Sequence, residues 1–220
     1  MYSQELLNKA QAGDTNSMIQ LGYDYYYGTG ITANYNEALH WMEKAVWCGA
    51  AKAGRQVSWL IMNSNSKSKN YKDAFYYAYH AMLVGDPEAT LMVGFFFDGK
   101  GGGNVVPVNY YTANHFYRLS LNKNCAPAAV HLARNYLEGR GDLKSPDKAI
   151  ECLKKGAELG NADSMELLGN IYEGAWEGAA RNDNLAGYWY NEASQKGSDF
   201  ARDRMRNYRY SSLTKRWKRI

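Results

Sequence analysis

Two glycine-rich stretches, four histidines and three cysteines are the residues of this sequence whose types could do recognisable chemistry. Gly28-Thr29-Gly30-Ile31-Thr32-Ala33 has the spacing of a dinucleotide-binding turn, in which glycines let the backbone approach a pyrophosphate. That chemistry needs a strand before the turn and a helix opening after it. Here a helical pattern precedes the turn, and Gly-x-Gly returns at Gly139 and Gly141. A helix C-terminus followed by a left-handed turn fits better. Gly99-Lys100-Gly101-Gly102-Gly103-Asn104 has the glycine content of a phosphate loop but lacks the closing Gly-Lys-Ser/Thr. It is expected to be a mobile insertion, with a partner-gripping loop as the alternative.

His40, His80, His115 and His131 show no pair at metal-ligand spacing. Cys48, Cys125 and Cys152 are an odd count without paired spacing, so reduced thiols and a cytoplasmic location are expected. No catalytic residue, metal or cofactor is expected from these patterns.

The elements that position these residues repeat. Gly13, Gly49, Gly85, Asn124, Gly160 and Gly197 follow one another at intervals of 36, 36, 39, 36 and 37 residues. Four, eight, nine and twelve residues after each marker, small and apolar side chains recur, as in Ser17, Leu21, Gly22 and Tyr25. Those offsets lie on one helical face and define a helix A in each repeat. Eleven residues before the next marker stands Ala38, Ala74, Ala113, Ala149 or Ala186. Three further on come Trp41, Tyr77, Phe116, Cys152 and Trp189, so Cys152 is expected in the core. Four before each alanine stands Asn34, Asn70, Asn109, Ser145 or Asn182, residues that cap helix N-termini. This is helix B. All length variation falls in the A–B loop, where stacked helices tolerate it.

The first repeat reads Leu21-Gly22-x-x-Tyr25-x-x-Gly28-x-Gly30, then Asn34-Tyr35-x-x-Ala38-x-x-Trp41-x-x-Lys44-Ala45-x-x-x-Gly49-x-Ala51. This resembles the Sel-one-like repeat, a relative of the tetratricopeptide repeat. The resemblance covers about 14–201 and weakens in repeat two, where Asn63-Ser64-Asn65-Ser66 replaces the loop glycines. It implies an all-α, right-handed α-solenoid that binds proteins and has no catalytic residues. The expected organisation is a capping helix over 1–13, repeats at 14–49, 50–85, 86–124, 125–160 and 161–197, and a capping helix with a basic tail over 198–220. Within that tail the helix is expected over 199–210.

In such a solenoid the A helices line the concave groove. The side of helix A away from its packing stripe would offer Gln20, Tyr23, Tyr27, Gln56, Trp59, Met92, Phe95, His131 and Arg134 to a partner. Tyr23, Trp59 and Phe95 would form an aromatic ladder, or the rings would be tucked between neighbouring helices as packing. Aromatic and Arg side chains are typical interface anchors.

Composition agrees with a folded, non-membrane chain. Of 220 residues 45% are hydrophobic and 22% charged, and no apolar run approaches the roughly 18–20 residues a membrane span needs. The opening Met1-Tyr2-Ser3-Gln4-Glu5 lacks an apolar signal core. The formal charge of +4 hides an asymmetry. Arg202, Arg204, Arg206, Arg209, Lys215, Arg216, Lys218 and Arg219 face a single acid, Asp203, so the repeats themselves are slightly acidic. Arg206, Arg209, Lys215, Arg216 and Trp217 could be a second contact for nucleic acid or an anionic surface, or a soluble cap. Lys52, Arg55, Lys67, Lys69 and Lys72 form a second basic stretch. The expected function is a non-enzymatic adaptor or scaffold for a protein partner. The alternatives are a bacterial immunity protein that neutralises a secreted toxin, and an anionic-surface binder acting through the basic end. Nucleic acid is not expected as the main partner.

Overall fold

A computed structural model describes residues 2–64, 70–212 and 214–220. Asn65, Ser66, Lys67 and Lys69, named above in the second repeat's loop and basic stretch, lie outside the described residues. The described chain forms two compact units, Met1–Val108 and Asn109–Ile220, with the boundary in the A–B loop of the third repeat.

The first unit holds α1 (Gln4–Gln11), α2 (Thr15–Tyr27), α3 (Tyr35–Trp47), α4 (Gly54–Asn63), α5 (Tyr71–Leu83) and α6 (Pro87–Phe97). The second holds α7 (Tyr110–Asn122), α8 (Pro127–Glu138), α9 (Pro146–Glu158), α10 (Ala162–Asn170), α11 (Asp183–Gln195) and α12 (Asp199–Arg204). A and B helices alternate throughout. α1 and α12 are the single helices at the two ends.

The local chemistry that starts each B helix is the one the repeats announce. Asn34, Asn70, Asn109, Ser145 and Asn182 are all N-caps whose side chains accept from first-turn amides. Such a cap contributes about 1 kcal/mol. Several A helices use a cap one residue after the marker: Asp14 accepts from Ser17 and Asp86 from Ala89, each at 2.8 Å. The markers themselves sit in the left-handed region, from Gly13 (φ 103°) to Asn124 (φ 65°). Glycine takes that conformation without strain, and Asn is among the few side chains that tolerate it.

Within a repeat the helices cross closely where helix A carries its small residue. A Cβ on Gly22 would lie 2.5 Å from Met42 Cγ and 3.1 Å from the Ala38 carbonyl. One on Gly169 would lie 2.6 Å from the Tyr190 ring. Ala10, Met18, Leu21, Trp41, Ala45 and Ala53 form one buried cluster in the first unit.

Three expectations need correction. The C-terminal helix ends at Arg204 rather than running to 210. One 3-10 turn (Met205–Asn207) leads into a two-stranded antiparallel hairpin, β1 (Tyr208–Ser211) and β2 (Arg216–Arg219). Tyr208 and Trp217 drive this, because both pack on Gly187 of α11 and the Trp217 amide donates to Asn184 at 2.7 Å. The glycine run of the third repeat packs closely: a Cβ on Gly102 or Gly103 would collide with the Tyr71 ring, and one on Gly101 with Phe96. Cys152 is half-buried rather than sealed in the core.

Candidate protein-binding surfaces

On the first unit the A-helix residues divide into those turned outward and those folded back. Tyr27 is 63% exposed and stacks on half-buried Tyr23 with ring centroids 6.3 Å apart. Burial raises the Tyr23 hydroxyl pKa above its ordinary value, against the opposing pull of Arg55. Trp59 of α4 meets Tyr26 edge-on at 5.4 Å, and the Tyr26 hydroxyl donates to the Asn63 carbonyl at 3.3 Å. The ring that links Trp59 to the preceding repeat is therefore Tyr26, one helical turn beyond Tyr23. Tyr26 and Tyr27 line an open concavity of about 620 Å³ with Ala33, Asn34, Tyr35 and Ser64.

The remaining first-unit candidates present less. Gln20 is exposed but donates to Asp24 of its own helix at 3.1 Å. Gln56, with its amide set to donate, turns back on the Lys52 and Ala53 carbonyls. Met92 is only 7% exposed and belongs to packing rather than to an outward face. α6 is apolar on most of its circumference, so the sequence pattern left its orientation weakly specified. Phe95 is half-buried. Arg55 joins Asp86 at 3.2 Å and also pairs with Glu88, tying α4 to α6.

On the second unit His131 and Arg134 of α8 line a pocket of about 230 Å³ with Asp163, Glu166, Leu167 and Asn170 of α10. Half-buried His131 rests against the Tyr117 ring at 5.6 Å, while Arg134 is exposed. Glu166 accepts from the Ser198 hydroxyl at 2.8 Å. The pocket thus offers both charge signs within one small volume. Sequence reasoning named His131 and Arg134 but not the two carboxylates. Asp163 and Glu166 stand near the start of helix A of the next repeat, and only the stacking of α8 on α10 brings them alongside.

The basic end does two different things. Trp217 is half-buried on α11, so it is a packing residue. Tyr208 and Arg219 face inward as a cross-strand pair, and Arg206 pairs with Asp203 at 3.1 Å. Arg209 and Lys218 are directly opposite on the other face of the hairpin, with Arg216 beside them, all exposed. Lys215, with φ 51°, forms the turn before β2.

Among the described residues no group of three or more His, Cys, Asp or Glu side chains is arranged to hold a metal. No helix among them is long and apolar enough to cross a membrane.

Comparison with known proteins places this arrangement. The Sel1 repeat family matches residues 15–46, 87–125, 126–161 and 162–198, omitting the second repeat with its altered loop. A chitin synthase regulator of Saccharomyces cerevisiae, SKT5, is 34% identical over 82 residues. That match takes in 36% of this chain and 12% of the regulator, so the chain spans a small part of that relative. The structure of c5321, a protective antigen of uropathogenic Escherichia coli, superposes with a TM-score of 0.75 at 26% identity. It covers 93% of this chain and 43% of that one. A Sel1 repeat protein from Oxalobacter formigenes superposes with a TM-score of 0.73 at 24% identity, covering 86% and 76%. The matched repeats take up most of the sequence: the chain belongs to the Sel1 repeat family and shares its helical-repeat fold.

Proposed function

We propose that this chain is a non-enzymatic adaptor that takes a protein partner on the outward face of its A helices. Sel1 repeats generally mediate protein–protein interaction, so the partner is a protein. The observation that carries the choice of surface is the group of Tyr23, Tyr26, Tyr27 and Trp59, whose rings meet one another stacked or edge-on yet stay in part open beside a concavity. Rings held by one another lose little freedom when a partner arrives, which favours them as anchors. On the second unit the His131 and Arg134 pocket would receive polar groups. Three cysteines without disulfides accord with a reducing, cytoplasmic setting.

The test is site-specific photocrosslinking. A photoreactive side chain at position 27 should capture the partner, and one at Leu143, which is 88% exposed in an A–B loop, should not. With that partner purified, Tyr27→Ala and Trp59→Ala should each weaken binding tenfold or more, as hot-spot truncations do. Unchanged affinity in both variants overturns the reading. A captured secreted toxin would make the role that of an immunity protein.

A second reading rests on the hairpin. Like charges placed directly opposite on a hairpin oppose its pairing, yet Arg209 and Lys218 occupy such a pair on its open face. An anionic partner would relieve that repulsion. If it is a polyphosphate chain, binding to generic RNA should fall steeply with salt and be lost in Arg209→Ser/Lys218→Ser. Absence of binding at low salt dismisses it.

A further inference from the structure

The furrows between successive B helices contain an internal comparison. In the first unit, Val46 and Trp47 of α3 face Tyr76, Tyr77 and His80 of α5 across a cleft of about 180 Å³. In the second unit the same register positions are Leu121 and Asn122 of α7 against Glu151, Cys152 and Lys155 of α9. There the space is about 640 Å³. Trp47 gives way to Asn122 at the exposed rim, and on the inner side of the furrow Tyr77 gives way to Cys152. Trp41, Tyr77, Phe116 and Trp189 stand at this place in the other B helices. With a thiol instead, the furrow opens through to Leu132 and Tyr136 of α8, which form an apolar floor.

The walls around that floor are charged. Arg118, Lys148, Lys154 and Lys155 line the space with Glu151 and Glu158, a surplus of cations. Arg118 is held from behind by the Tyr136 hydroxyl at 2.9 Å and Asp142 at 3.1 Å. Lys148 lies over the Tyr136 ring at 5.6 Å, and Lys155 spans the furrow to Asn122 at 2.9 Å. Arg118, Lys148 and Lys155 are thus held by contacts within the unit, around the space that Cys152 lines.

We propose that the furrow over Cys152, between α7 and α9, binds an acidic peptide segment that inserts an aromatic side chain. The aromatic ring takes the place that this repeat's own helix B leaves vacant, against Leu121, Leu132 and Tyr136. Acidic neighbours in the peptide meet Lys148, Lys154 and Lys155. This site lies on the B-helix side of the second unit and is independent of the A-helix face that carries the proposed function.

The test uses two labelled peptides, Gly-Asp-Glu-Phe-Asp-Glu-Gly and the same chain with Ala for Phe, titrated with the whole protein by fluorescence anisotropy at low salt. The Phe peptide should bind at least tenfold more tightly than the Ala peptide. Cys152→Phe restores the residue type of the other repeats and should reduce Phe-peptide binding at least tenfold with an unchanged circular dichroism spectrum. Cys152→Ala should bind as the native chain does. Lys148→Gln/Lys154→Gln leaves the floor intact and should weaken both peptides together, as should added salt. Trp59→Ala, on the other surface, should change nothing. Equal binding of the Phe and Ala peptides by the native chain overturns the proposal whatever the variants do. Retained binding in a folded Cys152→Phe also overturns it. If that variant fails to fold, retained binding in Lys148→Gln/Lys154→Gln overturns it instead.

Discussion

The Glu173 carboxylate accepts a hydrogen bond from the Tyr190 hydroxyl at 2.9 Å. It also accepts from Tyr208 at 3.2 Å, with Arg219 at 3.5 Å and Arg204 at 3.6 Å. One carboxylate, 11% exposed, therefore joins the π turn after α10 (Ile171–Ala175) to α11, α12 and both strands of the hairpin. It neutralises part of the basic end from inside. Glu173→Ala should strand the buried Tyr208 hydroxyl, leave the Tyr190 hydroxyl with Asn170 at 2.8 Å as its acceptor, and deprive Arg204 and Arg219 of their acid. A loss of about 2–3 kcal/mol is expected, as for removal of one partner from a charged hydrogen-bond network. Urea unfolding checks this, and Glu173→Gln, which keeps an acceptor, should recover part of the loss.

Trp217 gives the matching prediction from the same inward face of the hairpin. It stands over Gly187 and its ring lies 5.1 Å from that of Tyr210. Trp217→Ala should cost about 2 kcal/mol, less than the roughly 3–5 kcal/mol of a fully buried ring. It should also free the hairpin for limited proteolysis ahead of the helices. Arg209→Ser, on the open face, should leave stability within about 0.5 kcal/mol. If the two variants unfold alike, the hairpin does not pack as described.

These tail residues also show where the sequence was legible and where it was not. The B-helix caps could be read at once, because an Asn side chain and the amides it serves are two or three residues apart. The hairpin could not. Its strands are four residues each, too short for alternation to outweigh a run of basic residues that also suits a helix end. The period of two in Tyr208-Arg209-Tyr210 and Arg216-Trp217-Lys218 was the available signal. The outward face that the pattern predicts for Met92 fails for a related reason: when a helix such as α6 is apolar nearly all round, periodicity does not say which side faces out. The register of Cys152 is that of a core residue. What the register also says is that a small residue in an aromatic's place leaves space, and its size was the clue.

The buried amide pair between the third and fourth repeats supports a third prediction. Asn135 donates to Asn114 at 2.7 Å, and Asn114 donates in turn to the Arg140 carbonyl at 2.8 Å and to Asp142 at 3.1 Å. Both asparagines are fully buried, so the loop Gly139-Arg140-Gly141 is tied to α7 from within. Asn114→Ala should cost about 1–3 kcal/mol by orphaning these groups. For a chain of this length that is a fall of several degrees in Tm. Asn114→Leu should do no better, since the buried Asn135 amide loses its acceptor and the Arg140 carbonyl and half-buried Asp142 lose the same donor. A Tm within a degree of the native value would show that water serves these groups equally well.

Helix crossing can be tested at Gly22, where an added Cβ would press on Met42 and on the Ala38 backbone. Met42 is fully buried and has little room to give way. Gly22→Val should destabilise by about 1–3 kcal/mol through overpacking. In Gly22→Ala combined with Met42→Ala the loss should be smaller than the sum of the two single losses, since the flexible side chain, rather than the backbone, makes the shortest contact. Additive losses would mean that the backbone approach sets the limit.

Stability should also fall in alkali. Burial is the main cause that pushes the Tyr208 hydroxyl up to about 12, with Glu173 adding to it. Burial likewise raises Tyr190, helped by Glu173, and Tyr77, helped by Glu43, whose carboxylate accepts from the Tyr77 hydroxyl at 3.1 Å. In the unfolded chain each of these tyrosines loses its proton near pH 10. Above that value the native state holds more protons than the unfolded one, so stability declines as pH rises. The contribution is fully present below about pH 10 and, for Tyr208, is lost by about pH 12. The urea midpoint should therefore be level up to pH 9 and drop through this window, with tyrosinate absorbance appearing together with loss of helix. Tyr208→Phe should be less stable at neutral pH but show a shallower alkaline slope. An unchanged slope in that variant would mean that Tyr208 carries no part of the linkage.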